Sequence, residues 1–142
     1  MIAYFDTSAL VPLLVDEPSS SACQRLWEDA DDVVSARLAY VETAAALSQA
    51  RRLGRLTSRR QHAALRALDE LWSQTQIAEV DQLLVERAAQ VADQFALRGY
   101  DAVHCAAAVL VNDETVVAAA GDRELLTAWH ALGVNTYDTN AS

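Results

Sequence analysis

Ile2-Ala3-Tyr4-Phe5-Asp6-Thr7-Ser8 is a short apolar run that stops on an acid and two hydroxyl residues. The run is too short for a core helix and reads as a buried strand, while Asp6-Thr7-Ser8 is a cluster of helix-starting residues. A strand that feeds directly into a helix is the unit of an α/β fold, and the alternation continues downstream. Further strands are predicted at 33–34, 77–80, 115–120 and 134–137. Helices are predicted at 7–15, 19–29 and 37–53, then from Ser58, from Asp81, from Asp101, and over 122–132.

Local signals sharpen the boundaries. Gly54 suits the C-terminal cap of the third helix. Ser58, with Gln61 three residues on, has the form of a capping box, and the helix it opens carries Leu65, Leu68 and Trp72 on one stripe. Asp81 starts a helix with Leu84, Ala88, Val91, Ala92 and Phe95 at helical spacing, which Gly99 is expected to end. Asp101 is expected to open the next helix, and its Val103, Cys105, Ala106, Ala107, Ala108, Val109 and Leu110 leave almost no polar face, so it belongs inside the fold. Strands alternating with helices imply one α/β domain over residues 1–138, a mostly parallel central sheet of about five short strands flanked by helices on both faces. Residues 139–142 are expected to form a loose tail.

Charge and composition remove several functions. Eleven basic and twenty acidic residues give a net charge of −9, the wrong sign for a general nucleic-acid binder. Every basic residue is arginine, which excludes a P-loop and Schiff-base chemistry. Cys23 and Cys105 fall in no metal or redox spacing and are expected to be reduced thiols of a cytoplasmic protein. The start of the chain shows neither the basic region nor the apolar core of a signal peptide, and the apolar stretch 102–111 is far short of a membrane span.

Ligands of parallel sheets bind at the carboxyl ends of the strands, and acids stand there. Asp6 ends the first strand, Asp122 follows the fourth, and Asp101 begins the buried helix. Each could serve only as a helix N-cap, but capping and metal binding are compatible, because a helix N-terminus keeps a carboxylate ionised. Glu42 is placed mid-helix on a stripe with Leu38, Ala45 and Ala46, where an unpaired charge is costly. Four carboxylates brought together repel one another, and an oxygen-preferring divalent cation relieves that repulsion. Such a site suits in-line displacement at phosphorus.

The segments Tyr4-Phe5-Asp6-Thr7-Ser8-Ala9-Leu10, Tyr100-Asp101-Ala102-Val103-His104-Cys105-Ala106-Ala107-Ala108 and Gly121-Asp122-Arg123-Glu124-Leu125, with an acid at Glu42 between the first two, resemble a PIN domain. The nearest likeness is to VapC-like toxins, the stand-alone PIN ribonucleases of toxin–antitoxin pairs. The resemblance implies an Mg²⁺- or Mn²⁺-dependent endoribonuclease with Asp6 and Asp101 as main metal ligands, and Glu42 and Asp122 helping to hold metal or water. It also implies an RNA substrate, a homodimer and an inhibitory antitoxin partner. Ala120 departs from the pattern, since the family often has a hydroxyl residue there. The alternative is a catalytically weak PIN-fold module that binds a protein. A receiver domain would need a lysine, and a D-x-D phosphatase would need an acid where Ser8 stands.

Other residues have plainer readings. His104 reads as a satisfied core histidine, Ser8 as a helix cap, and Trp27, Trp72 and Trp129 as core. Arg51, Arg52, Arg55, Arg59, Arg60 and Arg66 form either a solvated face or a grip on RNA or antitoxin.

Overall fold

β1 (Ile2–Phe5) lies at the centre of a five-stranded sheet whose pairings are all parallel. The structure, a computed structural model, describes residues 1–141. The other strands are β2 (Asp32–Ala36), β3 (Thr75–Ala78), β4 (Val116–Ala120) and β5 (Asn135–Asp138), in the order β3-β2-β1-β4-β5. The helices are α1 (Thr7–Leu10), α2 (Ser20–Asp29), α3 (Ala39–Arg52), α4 (Ser58–Ser73), α5 (Gln82–Phe95), α6 (Gly99–Leu110) and α7 (Arg123–Ala131). The expected α/β fold with helices on both faces is what forms. None of these helices is long and apolar enough to cross a membrane.

The two faces follow from the two-residue period of a strand. Tyr4 points into one core with Leu84 of α5, Ala107 of α6, and Leu125 and Trp129 of α7. Its neighbours Ala3 and Phe5 point into the other, with Leu10 of α1, Cys23 and Leu26 of α2, and Ala39 of α3. Tyr4, Phe5 and Trp129 are fully buried, each contributing about 1.5–3 kcal/mol from apolar burial. The alanines of α6 let it approach the sheet closely, and the carbonyl of Cys105 accepts the indole N–H of Trp129 at 3.3 Å. Burial is continuous from Ala102 to Ala108, but Leu110 is more than half exposed, so α6 is enclosed only over its middle.

Several boundaries differ from expectation for local reasons. The first helix ends at Leu10, because Pro12 lacks the N–H that would bond back to Ser8, and the chain tightens into a 3₁₀ turn over Val11–Leu13. The third helix starts at Ala39, since the Arg37 N–H still bonds to Ala78 across the sheet. This pairing also sets β3 two residues earlier than predicted. Gly54 is left-handed (φ 76°) just past α3, as expected of a cap. Thr57, not Ser58, caps α4, its hydroxyl accepting the Arg60 N–H at 3.1 Å. Ala96, not Gly99, makes the left-handed end of α5, with φ 55°. Gly99 is instead the first residue of α6, so Asp101 sits inside its first turn rather than at its cap. Within the expected tail, Thr139 and Asn140 are tied to the end of β4. Thr139 is buried and its N–H bonds to the carbonyl of Ala120, while the Asn140 carboxamide bonds to the carbonyl of Gly121. Ser142 lies outside the described residues.

Candidate active site

From β1 the chain passes to β2 and β3 on one side, then returns to place β4 and β5 on the other. The carboxyl ends of β1 and β4 therefore flank the crevice where strand order reverses, the general ligand position of such sheets. Asp6 follows β1 at once, and Gly121-Asp122 follow β4. Asp101 reaches the crevice from the first turn of α6 and Glu42 from the first turn of α3, not from mid-helix as its sequence context suggested. All four predicted acids line one cavity of about 450 Å³. Each stands at a helix N-terminus, in the cap position or the first turn.

Asp6 is the most enclosed, at 3% exposure. Burial raises its carboxyl from 3.8 to about 6, and the Asp101 charge adds to the effect. His104 and the Ser8 hydroxyl oppose it. Burial raises the Asp101 carboxyl too, with the charges of Asp122 and Glu42 pushing the same way and His104 and Arg98 against. These mutual influences show that the acids feel one another across the cavity. Among the described residues, no three His, Cys, Asp or Glu side chains close into a preformed metal cage. The four carboxylates instead line one shared cavity, and oxygen donors of this kind suit a hard cation that keeps several of its waters.

Asp122 also caps α7: its Oδ1 accepts the N–H groups of Glu124 at 2.8 Å and Leu125 at 3.2 Å. Capping and facing the cavity coexist here. Asp6 occupies the cap position of α1 but caps nothing with its side chain, whose Oδ1 accepts the Ser8 hydroxyl at 2.6 Å. Ser8 in turn accepts the Gly121 N–H at 2.8 Å, so it joins β1 to β4 instead of capping a helix.

His104 is a satisfied core residue, 1% exposed, and is also part of the site. Its Nε2 lies 2.8 Å from Glu42 Oε1, and its Nδ1 lies 2.8 Å from the Tyr4 hydroxyl. A carboxylate oxygen only accepts, so Nε2 donates to Glu42, and Nδ1 pairs with the Tyr4 hydroxyl on the other side of the ring. Burial holds the Tyr4 phenol well above its ordinary pKa, so that proton stays on oxygen. Thr7 donates to the same Glu42 oxygen at 2.8 Å. The signal available in the sequence was spacing: His104 is three residues after Asp101, on the same helix face. Thr139 and Asn140, which also line the cavity, gave no such signal.

A larger groove of about 580 Å³ adjoins this cavity, sharing Val11, Glu17 and Ala46 with it, and contains none of the four acids. Arg55 and Arg60 edge that groove, and all six arginines of the 51–66 stretch are exposed.

The PIN domain model matches residues 3–126, which includes all four acids. Ribonuclease VapC49 of Mycobacterium tuberculosis is 42% identical over 132 residues, covering 93% of this chain and 92% of the relative. Among solved structures, M. tuberculosis VapC20, described as a Sarcin-Ricin loop cleaving toxin, superposes with a TM-score of 0.69 at 22% identity, over 89% of this chain and 94% of its own. A toxin-antitoxin complex from Klebsiella pneumoniae superposes with a TM-score of 0.56 at 20% identity, over 84% and 86%. A family match across most of the chain, a close relative over nearly its full length and acids gathered at the switch point lead to one assignment: this chain belongs to the PIN domain family.

Proposed function

We propose that this protein is a divalent-metal-dependent endoribonuclease, the toxin of a toxin–antitoxin pair. The observation that carries the reading is the ring of Asp6, Glu42, Asp101 and Asp122 around one cavity at the β1/β4 switch point. A polyanion such as RNA is repelled by four carboxylates unless a cation lies between them. The kinship with a protein named as a ribonuclease supports RNA as that polyanion, and the likeness to a toxin-antitoxin complex supports an antitoxin partner. A homodimer and a cytoplasmic location belong to the same proposal.

Asp6 and Asp101 would be the main ligands of Mg²⁺ or Mn²⁺, with Asp122 and Glu42 completing the ring. When bound, the cation supplies activation of water and neutralisation of charge for phosphodiester hydrolysis. The protein's own part is placement. Ser8 fixes Asp6, the α7 N-terminus fixes Asp122 through Oδ1, and Thr7 and His104 fix Glu42 through Oε1. With one oxygen of each held by the protein, the remaining oxygen is the one available to the cavity.

Thermal unfolding of wild type and an Asp6→Asn/Asp101→Asn double variant, in chelator and then in millimolar Mn²⁺, tests the reading. A cation at about a hundred times its dissociation constant adds roughly 2.7 kcal/mol. The expected result is a rise in wild type that the double variant lacks, together with metal-dependent cleavage of total bacterial RNA. No rise and no cleavage in wild type would leave a protein-binding module instead.

A further inference from the structure

The family match ends at residue 126, yet the cavity wall continues through residues near the end of the chain. Beyond β5, the Thr139 N–H bonds to the Ala120 carbonyl at 3.1 Å and the Asn140 N–H bonds to Asp138 Oδ1 at 2.9 Å. These bonds turn the Asn140 side chain back over β4, where its Nδ2 donates to the Gly121 carbonyl at 3.2 Å. The opposite side of the same residue is held as well, because the Gly121 N–H donates to Ser8 Oγ, and Ser8 Oγ donates to Asp6 Oδ1. Gly121 is thus gripped between Asn140 and Ser8, with Asp122 as its next residue. The fit is close: a Cβ on Gly121 would lie 2.9 Å from Asn140 Nδ2 and 3.2 Å from Thr139 Oγ1.

We infer that Asn140 is a positioning residue of the carboxylate ring, acting through Gly121 on Asp6 and Asp122. The inference rests on the metal-site reading above. Ser8 holds the peptide before Gly121 and Asn140 the peptide after it, so the backbone rotations at Gly121 are fixed from both sides. With the second peptide released, rotation at Gly121 displaces both the Ser8–Asp6 bond and the start of α7. Burial of Thr139 anchors the turn that carries Asn140, so these two residues form a working wall of the site.

The test uses Mn²⁺ alone as ligand, titrated calorimetrically into full-length wild type, Asn140→Ala, Gly121→Ala and the double variant, each confirmed folded by circular dichroism at the titration temperature. Outer partners of metal ligands typically matter about 10- to 100-fold in affinity, and a partner two bonds removed belongs at the lower end. Asn140→Ala should weaken Mn²⁺ about tenfold while the melting temperature in chelator stays near that of wild type. Gly121→Ala, by pushing the carboxamide off the carbonyl, should do the same. The double variant should be no weaker than the worse single one, because both break one bond. Wild-type affinity in Asn140→Ala, or losses that add in the double variant, would overturn the inference even while wild type binds and cleaves. Failure of wild type itself to bind Mn²⁺ would overturn the underlying metal-site reading, and the inference with it.

Discussion

His104 Nε2 and Glu42 Oε1 lie 2.8 Å apart, joining the most enclosed helix of the fold to the first turn of α3. Tyr4, in the central strand, sets the far side of the imidazole. Replacing His104 with Leu should therefore act twice. It leaves the buried Tyr4 hydroxyl without its partner, which costs about 1–3 kcal/mol, and it leaves Glu42 held by Thr7 alone, which should weaken Mn²⁺ binding by about tenfold. His104→Gln, which retains a donor for Glu42, should recover much of the metal affinity. Denaturant melts in chelator and calorimetric titration separate the two effects. Equal Mn²⁺ affinity in His104→Leu would reduce the histidine to a packing residue.

Asp6 should make the metal-free protein less stable as pH rises. Its folded carboxyl titrates near 6 against an ordinary 3.8. The folded state therefore binds the proton more tightly than the unfolded chain. The stability this provides is fully present below about pH 3.8 and is lost as pH climbs through about 6. The whole shift corresponds to about 3 kcal/mol as an upper bound. In chelator at pH 7.5, Asp6→Asn should be more stable than wild type, since an amide Oδ1 still accepts the Ser8 hydroxyl without carrying charge. Saturating Mn²⁺ should reverse that order. Urea melts from pH 4 to 8 check both signs, and a wild type that in chelator gains from Asp6 ionisation over this range would contradict the burial argument.

Ser8 offers a narrower test of the same corner. Its hydroxyl donates to Asp6 and accepts from Gly121, so Ser8→Ala leaves a buried carboxylate with one bond fewer. Hydrogen bonding to the charged form lowers a carboxyl pKa, and its loss raises it. Mn²⁺ binding to Ser8→Ala should therefore weaken more steeply below pH 7 than binding to wild type, with the two curves converging at higher pH. Parallel curves across the range would mean that Ser8 acts on position alone.

The sequence made the fold and the four acids legible because both depend on short-range pattern. Ile2–Phe5 is apolar and stops at Asp6, and the α6 sequence has no polar face to expose. Two of the errors share a cause: Ala39 rather than Arg37 opens α3, and β3 shifts earlier, because pairing between β2 and β3 decides where each neighbour begins. Thr57 takes the cap of α4 locally, its hydroxyl accepting the Arg60 N–H. His104 looked like core and is core; only the fold brings its second nitrogen to Glu42, 62 positions away. Asn140 was invisible for the same reason, since its partner Gly121 belongs to another strand's end.

Ala96 separates a mechanical strain from a functional one. It ends α5 with φ 55°, a conformation that costs an L-residue with a Cβ roughly 1–2 kcal/mol and costs glycine little. Part of the gain from a glycine is returned through the greater freedom of the unfolded chain. Ala96→Gly should stabilise the protein by about 0.5–1 kcal/mol in a chemical melt. The next residue, Leu97, is buried and bonds back to Ala92, so the turn is fixed from both sides and should keep its path. That turn leads within three residues to Gly99, the first residue of α6, and so governs where Asp101 emerges. If the strain is only the consequence of joining α5 to α6, Ala96→Gly gains stability and keeps its Mn²⁺ affinity. A gain in stability with a loss of metal affinity would instead mean that the rigidity of alanine at this position helps to aim Asp101.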